Sequence, residues 1–385
     1  MLLSKGHHLA YCGNIHRGET WPEVFTALEQ YTLSVKERVQ PSGPFGLGLR
    51  LSDTASRELI DAPVLLHFQR WLERNNCYVF TINGFPFGKF HGQRVKEQVY
   101  APDWTTAERL EYTNRLFDLL AQLLPPGVEG SVSTVPGSFK EFNLTHVQER
   151  QIRSNIFRCV EHIAALSERT GRMLHLGVEP EPLCLLETTA ETVEFFERLN
   201  FENGYDSRIA PHLGVNYDTC HLAVEYEDPH ESLENLQRNG IKVSKIHLSS
   251  ALKTRPTSAT RQALSAFAED VYLHQVVARS GNNLTRFRDL DVALGNAEPF
   301  EEWRIHFHIP LQCPATSWFE PTTDHLRGVL DFLAGQSGLC SHLEMETYTW
   351  EVLPPELKSS NVVDQLAAEY EWCLKEMRQR GLGRR

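Results

Sequence analysis

The chain lacks any run of about 18 consecutive apolar residues, which argues against a membrane-spanning helix. It has no Cys-x-x-Cys pair, and its 8 cysteines are scattered from Cys12 to Cys373. That spacing is typical of reduced, packing thiols rather than of a disulfide framework. The first residues, MLLSKGHH, lack the apolar segment of a secretory signal. We therefore expect a cytoplasmic protein without membrane insertion.

An excess of positive charge is also missing. The chain has 38 Lys and Arg against 50 Asp and Glu, a net charge of −12. Binding to a phosphate backbone needs clustered Lys and Arg, so nucleic acid is not the expected partner. Neither a phosphate-cradling P-loop nor a nucleophile elbow is found. The acidity favours a cation, and the expected partner is a small-molecule metabolite.

Short apolar runs alternate with longer amphipathic segments, which indicates repeated βα units around a parallel sheet. Eight such runs predict a closed (β/α)8 TIM barrel, with the whole of 1–385 as one domain. We expect an N-terminal extension (1–44), barrel strands (45–350), an insertion between strands six and seven (251–303, with a hairpin near Gly281) and a C-terminal helix (351–385). The predicted strands are Phe45–Ser52, Tyr78–Asn83, Gly130–Val135, Leu174–Glu179, His212–Asp218, Val243–Leu248, Arg304–Ile309 and His342–Thr347.

Strong metal-ligand residue types end four of these strands. They share the strand face of the Gly and polar residues, which we expect to point into the barrel because the alternating apolar residues fit under the helices. Carboxylates suit Mg²⁺ or Mn²⁺, and added imidazole moves the preference toward Mn²⁺, Fe²⁺, Co²⁺ or Zn²⁺. For each residue taken alone, the alternative to metal binding is a role as a helix cap or as a surface carboxylate. Four such residues at matching heights on the strands of one barrel together predict a divalent metal site. They are Glu179, Asp218, His247 and Glu346.

Further residues are expected around that site. His221, three residues after Asp218, and His308 are additional candidate metal ligands, although a barrel-interior histidine can also be held by hydrogen bonds alone. The loop at 84–103 has the composition of a lid or of an ordinary surface loop. The candidate substrate contacts are Arg50, Asn83, His91, His306 and Glu181. Glu181 is equally suited to orienting a ligand or forming a salt bridge.

The order Glu, Asp-x-x-His, His, His, Glu on the late strands resembles the xylose-isomerase-like superfamily, which includes sugar phosphate isomerases and epimerases and an endonuclease type. The resemblance implies that Glu179, Asp218, His247 and Glu346 bind metal. It also implies that His221 and His308 bind a second metal or the substrate. The chain has His306 where the nuclease pattern has Asp, which does not fit a trinuclear site.

Longer segments, among them YCGNIHRGETWPEVF, TINGFPFGKFHG and LEMETYTWEVLP, resemble the EboE-type metabolite traffic proteins encoded in the bacterial ebo operon. This resemblance spans nearly the whole chain. It implies a barrel of the same superfamily and a role in processing or moving a secondary-metabolite precursor. It also makes other proteins of the ebo operon expected partners.

Three functions are compatible with these residues. The first is a metal-dependent isomerase, epimerase or lyase for a small hydroxy-carbonyl compound, with Glu179 and Glu346 as the catalytic carboxylates. The second is a carrier that binds a metabolite without converting it, which the operon resemblance favours more than the residues do. The third, a metal-dependent phosphodiesterase or nuclease, conflicts with the acidic charge.

Overall fold

The computed structural model of the chain describes residues 1–336 and 338–384. Thirteen strands in these described residues fall into two sheets. The strands are β1 (His8–Cys12), β2 (Phe45–Arg50), β3 (Cys77–Asn83), β4 (Gly130–Thr134), β5 (Leu174–Val178), β6 (Leu213–Asp218), β7 (Lys242–Leu248), β8 (Leu252–Thr254), β9 (Val276–Ser280), β10 (Asn283–Phe287), β11 (Glu302–Ile305), β12 (Glu320–Pro321) and β13 (His342–Met345). The first sheet is a closed barrel of eight strands in the order β1-β13-β7-β6-β5-β4-β3-β2.

All neighbouring strands of the barrel are parallel. Helices connect most of them, which confirms the predicted (β/α)8 TIM barrel. The helices are α1 (Trp21–Ala27), α2 (Leu33–Val39), α3 (Asp53–Leu59), α4 (Ala62–Arg74), α5 (Ala107–Leu123), α6 (His146–Thr170), α7 (Thr189–Glu202), α8 (Ile209–His212), α9 (Thr219–Val224), α10 (Pro229–Arg238), α11 (Ser258–Leu264), α12 (Leu290–Gly295), α13 (Thr323–Gly335) and α14 (Val362–Gln379).

Capping side chains set the starts of the longer helices. Thr145 and Thr188 each accept a backbone N–H of the first turn, and Gln148 and Glu191 return a side-chain bond to the cap residue. These capping boxes satisfy amide groups that a helix start leaves free. α6 ends at Gly171, which takes the left-handed conformation (φ 67°) that glycine adopts without strain.

The alternation along the strands divides apolar from polar residues as predicted. Leu47, Leu176 and Leu343 are fully buried in the core that the strands share with the helices. On the opposite face of the strands, the backbone of Gly48 lies against the Glu344 carboxylate. A Cβ at this position would overlap that carboxylate. Glycine at position 48 therefore makes room for a charged side chain inside the barrel.

The second sheet is inserted between β7 and β13 and has the order β10-β9-β11-β8-β12. Its strands pair antiparallel, and β9 and β10 form the hairpin predicted around Gly281. This sheet has a hydrophobic core of its own, in which Trp303, Ile305 and Phe307 are fully buried. It carries several residues that cover the mouth of the barrel, as described below.

Two of the strand assignments from the sequence were wrong. The first barrel strand is β1, so 1–44 is not an extension outside the barrel. The predicted strand Arg304–Ile309 is not a barrel strand, because β11 pairs antiparallel with β8 and β9, and the following residues leave the sheet. The insertion therefore follows the seventh barrel strand in the chain rather than the sixth.

No helix in the described part of the chain has both the length and the apolar character needed to cross a membrane.

Candidate functional site

Four side chains predicted as metal ligands meet at one end of the barrel. Glu179 follows β5, Asp218 ends β6, His247 lies near the end of β7 and Glu346 follows β13. One ligand atom from each lies within 4.8 Å of the others, and all four residues are buried. We call this group the carboxylate cluster. It lies at the carboxyl ends of the strands, where TIM barrels carry their active sites.

The imidazole of His247 is the centre of the carboxylate cluster. Its Nδ1 atom lies 2.7 Å from Glu346 Oε2, 3.1 Å from Glu179 Oε1 and 3.4 Å from Asp218 Oδ2. Three carboxylates thus surround a single nitrogen. Such a set of hard oxygen atoms with one imidazole is the donor chemistry that divalent metal ions take in proteins.

A second layer of polar groups supports His247 from inside the barrel. Its Nε2 atom lies 3.2 Å from Glu344 Oε2 and 3.3 Å from Asn83 Oδ1. Lys245, two residues earlier on β7, donates to the same Glu344 oxygen at 2.7 Å. These contacts fix the ring so that Nδ1 faces the carboxylates, as outer partners of ligating histidines commonly do.

Asp218 also belongs to a second group of candidate ligands with His221 and His308, whose donor atoms again lie within 4.8 Å of one another. In both histidines the Nδ1 atom faces a backbone carbonyl, at Pro180 (3.0 Å) and Glu346 (3.1 Å). A carbonyl only accepts, so Nδ1 carries a proton in each ring, and in the neutral imidazole Nε2 then has a free lone pair.

Buried atoms without hydrogen bonds mark the same place. His308 Nε2, His306 Nε2 and Asp218 Oδ2 are buried and have no hydrogen-bond partner among the described residues. An unpartnered buried acceptor costs free energy unless something fills the gap. All three atoms are acceptors, so a cation satisfies them where another acceptor cannot. The residues therefore fit a divalent metal ion.

Burial and the neighbouring charges both shift the pKa values of the cluster. Burial alone would lower the pKa of His247, but Glu346 and the other carboxylates outweigh it and hold that pKa well above its usual value. Burial raises the pKa of Glu346 to about 7. Burial likewise opposes ionisation of Asp218, yet His221 and the other imidazoles hold its pKa well below normal. The site thus favours positive charge at its centre.

A chamber opens beside the carboxylate cluster. The space it offers to water-sized groups is about 60 Å³, and it is partly open to solvent. Glu179, Glu346 and His221 line the floor. The sides and top come from three segments far apart in sequence: loop 84–103, the inserted segment near Tyr272, and Tyr348 after β13.

The predicted substrate contacts divide between two places. Asn83, Glu181 and His306 line the chamber. Arg50 and His91 do not line it, but lie along a neighbouring groove nearer the surface. Arg50 donates to the carbonyls of Gly18 and Gly88, and His91 contacts Asn14 and Tyr272. Both therefore brace loops of the barrel mouth, and their role as substrate contacts stays a prediction.

Among the residues missed from the sequence are three that form hydrogen bonds to residues of the site. Asn14 donates to Glu346 Oε1 at 2.5 Å, and Tyr100 donates to Glu181 Oε1 at 2.6 Å. Lys245 is the third. It shares the parity of His247 on β7, a signal that could have identified it as an inward-facing residue. Asn14 follows the one barrel strand that was not predicted, and Tyr100 lies in a loop without periodicity.

No protein-family model matches the chain, and no curated protein matches it. Solved structures do match over nearly its whole length. A D-tagatose 3-epimerase-like protein has a TM-score of 0.51 at 14% identity, covering 96% of this chain and 97% of that one. The IOLI protein with a bound zinc atom has a TM-score of 0.49 at 13% identity, covering 97% and 98%.

A xylose isomerase-like TIM barrel protein from Mycobacterium smegmatis, in complex with magnesium, has a TM-score of 0.48 at 13% identity, covering 99% of both chains. At these identities the likeness concerns the fold. The likeness to the D-tagatose 3-epimerase-like protein agrees with the closed barrel that the strand pairing shows. The resemblance to EboE-type proteins is not tested by these matches and stays a prediction.

Proposed function

We propose that the chain is a metal-dependent isomerase or epimerase, or a lyase with the same first step, acting on a small hydroxy-carbonyl compound. The observation that carries the proposal is the meeting of two carboxylates, Glu179 and Glu346, at one buried nitrogen and in the wall of one chamber. The resemblance to EboE-type proteins supports a place in secondary-metabolite processing or trafficking.

The two glutamates come from strands that are not adjacent in the barrel. Glu179 follows β5 and Glu346 follows β13, with β6 and β7 between these strands in the barrel order. A substrate carbon held above His247 would therefore have a carboxylate on either side. One carboxylate can remove the proton from a carbon next to a carbonyl, and the other can return it to the opposite face.

Other side chains hold these groups in position. The Asn14 amide fixes one oxygen of Glu346, so that the other faces His247. A divalent cation bound by Glu179, Asp218, His247 and Glu346 would polarise neighbouring oxygen atoms of the substrate and stabilise negative charge on them. Burial of the four side chains limits their contact with water and strengthens these interactions.

Solvent exchange tests the proposal directly. Hydroxy-ketones such as acetoin and dihydroxyacetone are incubated with Mn²⁺-loaded protein in D₂O, and loss of the proton next to the carbonyl is followed by NMR. We expect exchange, and we expect Glu346→Gln and Glu179→Gln each to slow it by about 100-fold or more. The matched control is Glu111→Gln, an exposed glutamate on α5.

Exchange that persists unchanged in Glu346→Gln would contradict the assignment of that carboxylate. A panel member that binds and is recovered without any exchange would instead support the alternative function, a carrier that does not convert its ligand.

A further inference from the structure

The upper part of the chamber is apolar and aromatic, in contrast to its floor. Phe90, Tyr272 and Tyr348 pack against one another with ring centroids 5.2 to 5.3 Å apart. We call these three residues the aromatic roof. Each is at most 8% exposed, and all three line the chamber. Phe85, Val95 and Val99 extend the same apolar surface.

The roof is held in place above the floor. The backbone N–H groups of Val95 and Lys96 both donate to the Val271 carbonyl, at 2.8 and 2.9 Å. These bonds join loop 84–103 to the inserted segment that carries Tyr272. On the other side, the Tyr348 ring lies 4.6 Å from that of His308. The apolar surface therefore adjoins His308, and it shares one chamber with Glu179 and Glu346 of the carboxylate cluster.

Among the described residues, the chamber wall offers no free lysine or arginine side chain. Among the described residues that line the chamber, the single Lys or Arg is Lys96. Its ammonium group is buried and already bound to Asp289 Oδ2 (2.6 Å) and to the Glu269 carbonyl (2.8 Å). The chamber wall instead contains Glu179, Glu181 and Glu346. A phosphate group placed under the roof would be desolvated without a free lysine or arginine to pair with it, which is costly.

We infer that the substrate is an uncharged hydroxy-ketone or hydroxy-aldehyde that carries a flat apolar group, such as an aromatic ring, and not a sugar phosphate. The inference rests on the proposed function for the hydroxy-carbonyl end, which faces the carboxylate cluster. The aromatic roof and the adjoining apolar side chains contact the other end. Rings stack on ring faces and edges of this kind, and burial of apolar area favours binding.

Two matched pairs of compounds test this inference with Mn²⁺-loaded protein and isothermal calorimetry. Phenylacetylcarbinol differs from acetoin by a phenyl group in place of a methyl group, and dihydroxyacetone phosphate differs from dihydroxyacetone by the phosphate. We expect phenylacetylcarbinol to bind at least about tenfold more tightly than acetoin. We expect the phosphate to bind no more tightly than dihydroxyacetone.

Variants locate the binding surface. Phe90→Ser should weaken binding of phenylacetylcarbinol several-fold and leave acetoin unchanged. Val99→Ser makes the same change in polarity at a half-buried residue outside the aromatic roof, and should act in the same direction if Phe90→Ser does not fold. Val147→Ser, at a residue 66% exposed at the start of α6, is the control and should have no effect.

Equal affinities within the first pair, tighter binding of the phosphate, or no binding of phenylacetylcarbinol would each overturn the inference. The outcome is separate from that of the proposed function. The affinity ratios measure the chamber, whereas deuterium exchange measures proton removal. Tight binding of phenylacetylcarbinol without exchange would support the inference and count against the enzyme.

Discussion

The interior of this barrel contains charged side chains, which are rare in the interiors of most proteins. Lys245 and Glu344 are at most 1% exposed and lie 2.7 Å apart. Each would be costly to bury alone, and their close contact offsets that cost. Gly48 leaves the space that the Glu344 carboxylate occupies. Through Glu344 the pair also contacts His247. These buried polar residues therefore help to position the carboxylate cluster.

Glu369 on α14 is a buried carboxyl group outside the site. It accepts a hydrogen bond from the Thr347 hydroxyl at 2.6 Å, and burial raises its pKa from its usual value to about 7. Between pH 4.5 and pH 7 it is therefore protonated in the folded chain and ionised in the unfolded chain. The free energy of unfolding should fall as pH rises through this window, and the loss should be complete above it.

The variant Glu369→Gln keeps an oxygen that can accept from Thr347 and cannot ionise. Relative to the wild type, we expect its free energy of unfolding to rise by about 3 kcal/mol between acidic and mildly alkaline pH. Urea unfolding of both proteins across that range measures the difference. A wild type and variant with parallel pH profiles would show that Glu369 is not protonated in the folded state.

Loop 84–103 is fixed by a buried ion pair in addition to its backbone hydrogen bonds. Lys96 and Asp289 are 7% and 11% exposed in their side chains, and they connect the loop to the inserted segment. We expect Lys96→Met to loosen the loop, because Asp289 loses its charged partner and Met cannot replace it. Amide hydrogen exchange at 95–100 should accelerate by about tenfold or more.

Lys89→Met is the matched control for this loop, since Lys89 is exposed. It should leave exchange at 95–100 unchanged. If both variants behave alike, the ion pair does not hold the loop.

The elements of the barrel were largely predictable, and the reasons for the failures are physical. Alternation along β5, β6 and β7 shows which residues share a face, and the carboxyl ends of parallel strands meet at one rim. Glu179, Asp218 and His247 follow from these two rules. The same alternation in Arg304–Ile309 is equally compatible with a strand in another sheet. Only its antiparallel pairing with β8 and β9 decides the matter.

At the scale of the whole molecule, the chain combines a barrel with an inserted sheet that has a separate hydrophobic core. The barrel supplies the carboxylate cluster from strand ends, and the insertion and loop 84–103 supply the cover. Sequence periodicity predicts the first part, because strand ends are fixed by the fold. It does not predict the second, because contacts such as Phe90 with Tyr272 join loops that are far apart in sequence.

The metal content of the protein tests the central claim most directly. We expect wild-type protein isolated without chelator to contain about one or more divalent ions per chain by elemental analysis. Asp218→Asn should lose most of the metal. Its amide oxygen can keep the bonds that Asp218 Oδ1 accepts at the start of α9, so the fold should survive. Wild-type protein that contains no divalent ion, even after incubation with Mn²⁺ or Zn²⁺, would contradict the account.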